Sequence, residues 1–273
     1  MNLKTMPNNI KRRLIIIANT GGEKNYCPSV IEDRKNYLDF FKSPEGGYWF
    51  NSEIIAPDVN SWTKEKLAAV MDEQEEDGRV NYWLIVFAGH GWENSEGHPF
   101  LELYPNSPAK EDLPVDWLED RVKHSSCLLI ADCCRNIYPL TESIGDSRAR
   151  VKIFAREGSL GYSTKCRLLY NQQLKHLYPG LFVVGAAASF KEGAKNMPSE
   201  EGGLYSYYLL DCADKEIEKY QKLNEEDKTL AFSYIHSLAK PRVIRFSRDK
   251  QHPELWSERG AQPPFCVIPQ WRI

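Results

Sequence analysis

Three stretches of this chain are apolar almost without interruption, and they decide what it can fold into: RLIIIA from Arg13, VNYWLIVFA from Val80 and SCLLIA from Ser126. A strand with one wet face alternates apolar and polar residues, whereas a strand covered on both faces does not. These runs therefore predict central strands of a sheet with helices on each side. WFNSEIIAP from Trp49 and LFVVGAAAS from Leu181 read as two further strands. Between them lie helical patterns: residues 30–41, 61–76 with Ser61 as N-cap, 114–124, 166–177, 202–222 and 227–240. Strand and helix alternate with crossovers of helical length, which predicts an α/β fold, a three-layer α/β/α sandwich around a mostly parallel sheet. Residues 136–165, polar and rich in Gly and Arg, read as loop, and the Pro-rich stretch 251–269 is expected to wrap the body and supply an edge strand.

Bulk properties narrow the function. The 273 residues suffice for one large domain, and neither an internal repeat nor a linker calls for a second. A net charge of −3 gives no electrostatic case for nucleic acid, which would call for a basic face, and no apolar run approaches the ~20 residues that span a bilayer. The basic start, MNLKTMPNNIKRRLIIIANTGG, has an apolar stretch too short for a typical leader and no small-residue cleavage site after it, so a first strand is the better reading. Seven cysteines without CxxC or Cys/His metal spacing predict neither a disulfide framework nor a zinc site, and point to a reducing, cytoplasmic setting.

In open parallel sheets reactive groups gather at the carboxyl ends of strands. One apolar run ends in FAGHG, placing His90 between Gly89 and Gly91, and another ends in ADCC, placing Asp132, Cys133 and Cys134 at its tip. If the two strands are neighbours, an imidazole lies beside a thiol, as a thiolate nucleophile requires. The glycines would let backbone N–H groups approach a reacting carbonyl. A solitary buried cysteine is usually an inert small hydrophobe, and a solitary histidine after a strand is usually structural. Their joint occurrence at two strand ends favours chemistry. NTGGEKN after the first strand is a poor nucleotide-binding loop, having neither GxGxxG nor a Walker pattern.

FAGHG followed by LIADCCRN resembles the histidine and cysteine signatures of the caspase-like cysteine peptidases, which include caspases, metacaspases and prokaryotic relatives. RRLIIIANT resembles the family's first strand, EDRKNYLDFF its first helix, and LFVVGAAASFKEGA with EGGLYSYYLL its small-subunit strand and helix. The resemblance runs from residue 12 onward and implies one caspase-like domain. Its large-subunit-like part would span about 10–140, its loop about 136–165 and its small-subunit-like part about 166–273.

The resemblance also implies roles. His90 would be the general base or ion-pair partner, and Cys134, directly before Arg135, the nucleophile. The backbone N–H groups of Gly91 and Cys134 would hold the oxyanion, and Cys133 would be a packing residue. Asp132 stands where aspartate-specific caspases carry Gln, and a tentative alignment puts Cys27 where they carry Arg. Both departures resemble metacaspases, whose acidic pocket selects Arg or Lys. Asp33 matches the metacaspase acid and is expected to join Asp132; the other reading of Asp33 is a solvated acid at a helix start. Lys195 near the same pocket would complicate an all-acidic picture. Ser189 is expected to line the groove, or else to be a plain loop serine. Arg148, Arg150, Arg156 and Lys165 are candidate self-processing sites.

The implied partners are a protein or peptide substrate and an activating effector, in stress, cell death or antiphage defence. No metal or other cofactor is expected; residues 110–121 do not form an EF-hand, and calcium dependence stays open. The contrasting expectations are a catalytically idle caspase-fold scaffold or binding module, and a peptidase that prefers an acidic residue before the scissile bond.

Overall fold

In the computed structural model, the residues described are 10–76, 78–133, 159–189, 191–197, 201–223, 226–257, 260 and 262–270. The central sheet has six strands: β1 (Arg12–Ala18), β2 (Ile54–Ile55), β3 (Tyr82–Ala88), β7 (Ser126–Asp132), β8 (Phe182–Ala186) and β10 (Glu254–Ser257). Their spatial order is β10-β8-β7-β3-β1-β2, parallel throughout except for the antiparallel edge strand β10. The tail thus supplies the expected edge strand. It also supplies β11 (Pro264–Ile268), paired with β9 (Lys228–Ala231) in a small separate sheet.

Alternation along the strands sorts the core into two faces. Leu14, Ile16, Leu84, Val86, Leu128 and Ile130 face one cluster with residues of α1 (Ser29–Lys42), α4 (Leu160–Leu174), α5 (Leu204–Leu223) and α6 (Phe232–Phe246). Ile15, Ile17, Trp83, Ile85, Phe87 and Leu129 face the other, with residues of α2 (Lys64–Glu76) and α3 (Val115–Val122). The result is a mixed α/β fold with a mostly parallel central sheet flanked by helices. No described helix is long and apolar enough to cross a membrane.

Several sequence expectations are corrected. Trp49–Pro57 is not one strand: residues Asn51–Glu53 form a 3-10 turn and only Ile54–Ile55 pair with β1. Ser61 does not cap α2; the Thr63 hydroxyl accepts the Lys66 N–H at 3.2 Å, while Ser61 bonds back to the Val59 carbonyl. Residues 228–231 are strand rather than helix, and α4 begins at Leu160 inside the expected loop, with the Ser159 hydroxyl accepting the Tyr162 N–H. A three-stranded ribbon of β4 (Gly91–Glu93), β5 (Pro99–Leu101) and β6 (Leu113–Pro114) was not foreseen.

The turn at 51–53 has a purpose in the core. Arg12 is wholly buried at the start of β1, with its guanidinium carbon 4.2 Å from the centre of the Trp49 ring and 5.3 Å from that of Tyr170. It bonds the Gly47 and Tyr48 carbonyls and lies 3.4 Å from Glu53, which Arg167 also engages at 2.6 and 2.7 Å. Burial pulls the Arg12 pKa down to about 10 against the opposing pull of Glu53. Removing one member of a buried charge network leaves the others desolvated. Arg12→Ala is therefore expected to lower unfolding free energy by about 3–5 kcal/mol in urea titrations; a loss under about 1 kcal/mol would show that the network is dispensable.

Candidate active site

Backbone pairing places the two reactive strand ends side by side. β3 and β7 run in register from Tyr82↔Ser126 to Ala88↔Asp132, and the Gly89 N–H continues the pairing by donating to the Asp132 carbonyl at 3.1 Å. His90 follows on one strand and Cys133 on the other. A Cβ at Gly91 would lie 2.8 Å from Cys133 Sγ and 2.9 Å from the Phe100 carbonyl oxygen, so only glycine fits this approach. Cys133 is buried among the residues of the α2/α3 face, consistent with the packing role expected of it. Cys134, expected as nucleophile and second oxyanion donor, lies outside the described residues, as do Arg148, Arg150 and Arg156. Lys165 is described, and it is a helical residue of α4 paired with Asp227 at 2.8 Å.

The Glu102 N–H donates to the His90 carbonyl at 2.9 Å, and Gly91 stands opposite Leu101 in the next rung. Bonded and non-bonded pairs alternate in an antiparallel ladder, so the Gly91 N–H turns away from β5, as an oxyanion donor must.

The His90 ring is half-buried against the loop of residues 20–25. Its Nε2 is buried without a well-formed hydrogen bond to any described residue. A Cβ on Gly21 would stand only 2.5 Å from that nitrogen, and Gly21 adopts φ +77°, a region that suits glycine. Burial lowers the His90 pKa, and the nearby carbonyls of Asn25 and Thr20 oppose the shift without hydrogen bonds of good geometry. Among the described residues, then, the environment favours a neutral ring able to accept a proton at neutral pH.

The acids also meet, but not in solvent. Asp33, on α1, is 3% exposed and Asp132 is 5% exposed. The Gly203 N–H donates to both Asp33 oxygens, at 3.0 and 2.9 Å, and the Ser206 N–H donates to Asp132 at 2.9 Å. Tyr37 donates its hydroxyl to Ser206 Oγ at 3.1 Å. A Cβ at Gly203 would lie 2.2 Å from Asp132 Oδ2, so the turn before α5 covers the pair closely. The reading of Asp33 as a solvated acid is thus overturned, because α5 closes over it. Burial raises both carboxyl pKa values; Asp33 goes well above the ordinary range, pushed further by the Asp132 charge, while the Gly203 N–H pulls it down.

Cys27 borders the same pair. Its Sγ lies 3.0 Å from Ser29 Oγ and accepts from Asn196 Nδ2 at 3.1 Å, and burial, above all, raises its thiol pKa. Lys195 lies close by through its backbone, its carbonyl accepting the Leu204 N–H. Ser189 is engaged elsewhere: its hydroxyl donates to the His252 carbonyl at 2.8 Å, which ties the loop after β8 to the tail. Among the described residues no group of three or more His, Cys, Asp or Glu side chains is arranged to hold a metal ion.

Gly203, Ser206 and Tyr37 went unremarked as site residues in the sequence, although the first two lie in EGGLYS, a motif already singled out. The chain matches no protein-family model and no curated protein sequence.

A carboxyl with a raised folded-state pKa holds its proton more tightly when folded. Its contribution to stability is intact below about pH 4 and is lost as pH rises through the raised value. Asp33→Asn escapes that loss. The difference in unfolding free energy between variant and wild type is expected to shift toward the variant as pH rises above about 4; a difference independent of pH would refute the raised carboxyl.

Proposed function

We propose that this chain is a caspase-like cysteine endopeptidase working through His90 and Cys134. The observation that carries the reading is the in-register pairing of β3 with β7, which sets His90 and Cys133, the residue before the proposed nucleophile, at adjacent strand ends. In the proposed reaction His90 takes the Cys134 thiol proton, and the sulfur attacks the scissile carbonyl carbon. The carbonyl oxygen becomes an oxyanion held by the N–H groups of Gly91 and Cys134. Collapse breaks the C–N bond as His90 returns the proton to the leaving amine. Water, deprotonated by His90, then cleaves the thioester, releasing the acid and the thiol.

The proposed substrate is a protein or peptide with Arg or Lys before the scissile bond, met by Asp33 and Asp132. Their proximity supports this, since two carboxylates attract a cation and repel an acid. Their burial under the Gly202–Gly203 turn favours a second reading of their role, in which they anchor the start of α5 and specificity arises elsewhere. We further propose a cytoplasmic enzyme restrained until an effector arrives, in keeping with a stress, cell-death or defence role.

Peptides ending in Arg, Lys or Asp before a reporter group, with and without calcium, test both points. Cleavage is expected after Arg or Lys, to fall roughly 10³-fold or more in Cys134→Ala, and to persist in Cys133→Ala. Equal cleavage by Cys134→Ala would exclude the mechanism. Cleavage without basic preference would support the anchoring role.

A further inference from the structure

We propose that Asn60 and Asn19 are positioning residues that hold the loop of residues 20–25 against the His90 imidazole and so fix the orientation of the ring. The inference rests on the reading of His90 as the catalytic base. Neither asparagine side chain is seen to hydrogen-bond the ring, and both act through the loop.

The loop contains Gly21 and Gly22 and lacks regular structure, yet it forms the wall beside Nε2. Two glycines raise the entropy lost when such a segment is fixed, so its position must be held by specific bonds. Asn60 supplies a reciprocal pair, accepting the Thr20 N–H at 2.9 Å and donating to Thr20 Oγ1 at 2.8 Å. Its own N–H donates to the Ala18 carbonyl at 2.8 Å, fastening it to the end of β1. It adopts φ +62°, which asparagine tolerates better than most residues.

Asn19 works from the other side. It is wholly buried, accepts the Gly21 N–H at 3.0 Å and donates from Nδ2 to the Glu102 carbonyl at 2.7 Å. Glu102 in turn donates its N–H to the His90 carbonyl. One amide thereby spans the loop in front of the ring and the strand that carries its backbone. The far end closes on itself: Asn25 Oδ1 accepts the Gly22 N–H at 2.7 Å, and the Cys27 N–H donates to the Thr20 carbonyl at 2.7 Å. Thr20 and Asn25, whose carbonyls act on the imidazole, are thus both tied down.

Asn60→Gly removes the side-chain bonds and keeps a residue suited to positive φ, so the fold is expected to survive. Asn19→Ser shortens the second link. The His90 ring proton, assigned by its loss in His90→Gln, is followed by NMR through a pH titration of wild type and both variants. With the loop released and water beside the ring, the imidazole pKa is expected to rise toward the ordinary histidine value. On any peptide the wild type cleaves, kcat is expected to fall about tenfold with KM unchanged. An imidazole that titrates as in wild type or lower, in a folded Asn60→Gly protein, overturns the proposal, as does a risen pKa with unchanged kcat. If wild type cleaves no peptide, the chain is a restrained enzyme or no peptidase, and the titration alone decides whether the asparagines hold the ring.

Discussion

The pairing of β3 with β7 is the constraint on which the rest of the site depends. Parallel strands keep one register along their length, so seven matched residues from Tyr82 and Ser126 leave little freedom in where the two chains emerge. A slip of one residue would turn every side chain to the opposite face and expose Leu84, Val86, Leu128 and Ile130 to the wrong layer. The hydrophobic core therefore enforces the relative height of His90 and Cys133. The Gly89 bond to the Asp132 carbonyl carries that register one residue past the strand end, where chemistry could begin.

The acid pair links this pairing to the second half of the chain. Asp132 is the last residue of β7 and bonds the first turn of α5, while Asp33 reaches the same turn from α1. A helix start offers unsatisfied N–H groups and a positive dipole end, which together stabilise a nearby carboxylate. Here those donors face two buried carboxyls. Burial raises both pKa values, the Asp132 charge pushes that of Asp33 further, and the N–H bonds offset only part of the rise. The strand that precedes the thiols, the first helix and the long helix α5 consequently share one buried polar junction.

Most of the sheet was legible in the sequence because its central strands are apolar on both faces, a pattern that short-range chemistry alone can fix. Elements held by distant partners were not. The Trp49–Pro57 run has strand-like residues, but Glu53 folds back to Arg12 and Arg167, 41 and 114 residues away along the chain. Strands of two or three residues, as in β4 to β6, are too short to show a period. Ser61 and Thr63 are equivalent as cap formers, and only the observed bond distinguishes them. At the site, the expected meeting of His90 with the thiol-bearing strand end followed from strand ends and adjacency. The enclosure of Asp33 did not, because its partner Gly203 stands 170 residues downstream.

The enclosure bears directly on the proposed specificity. Two carboxyls this close and this dry are costly to ionise together, so the covered pair favours holding a proton. Under the proposed reading, a guanidinium or ammonium that displaced the Gly202–Gly203 turn would supply the charge needed to ionise both. An acidic side chain would meet repulsion in the ionised state. A neutral side chain would open the turn without stabilising either carboxylate. Discrimination would then come less from the attraction of a preformed negative pocket than from the free energy required to uncover and ionise it, which only a cation offsets.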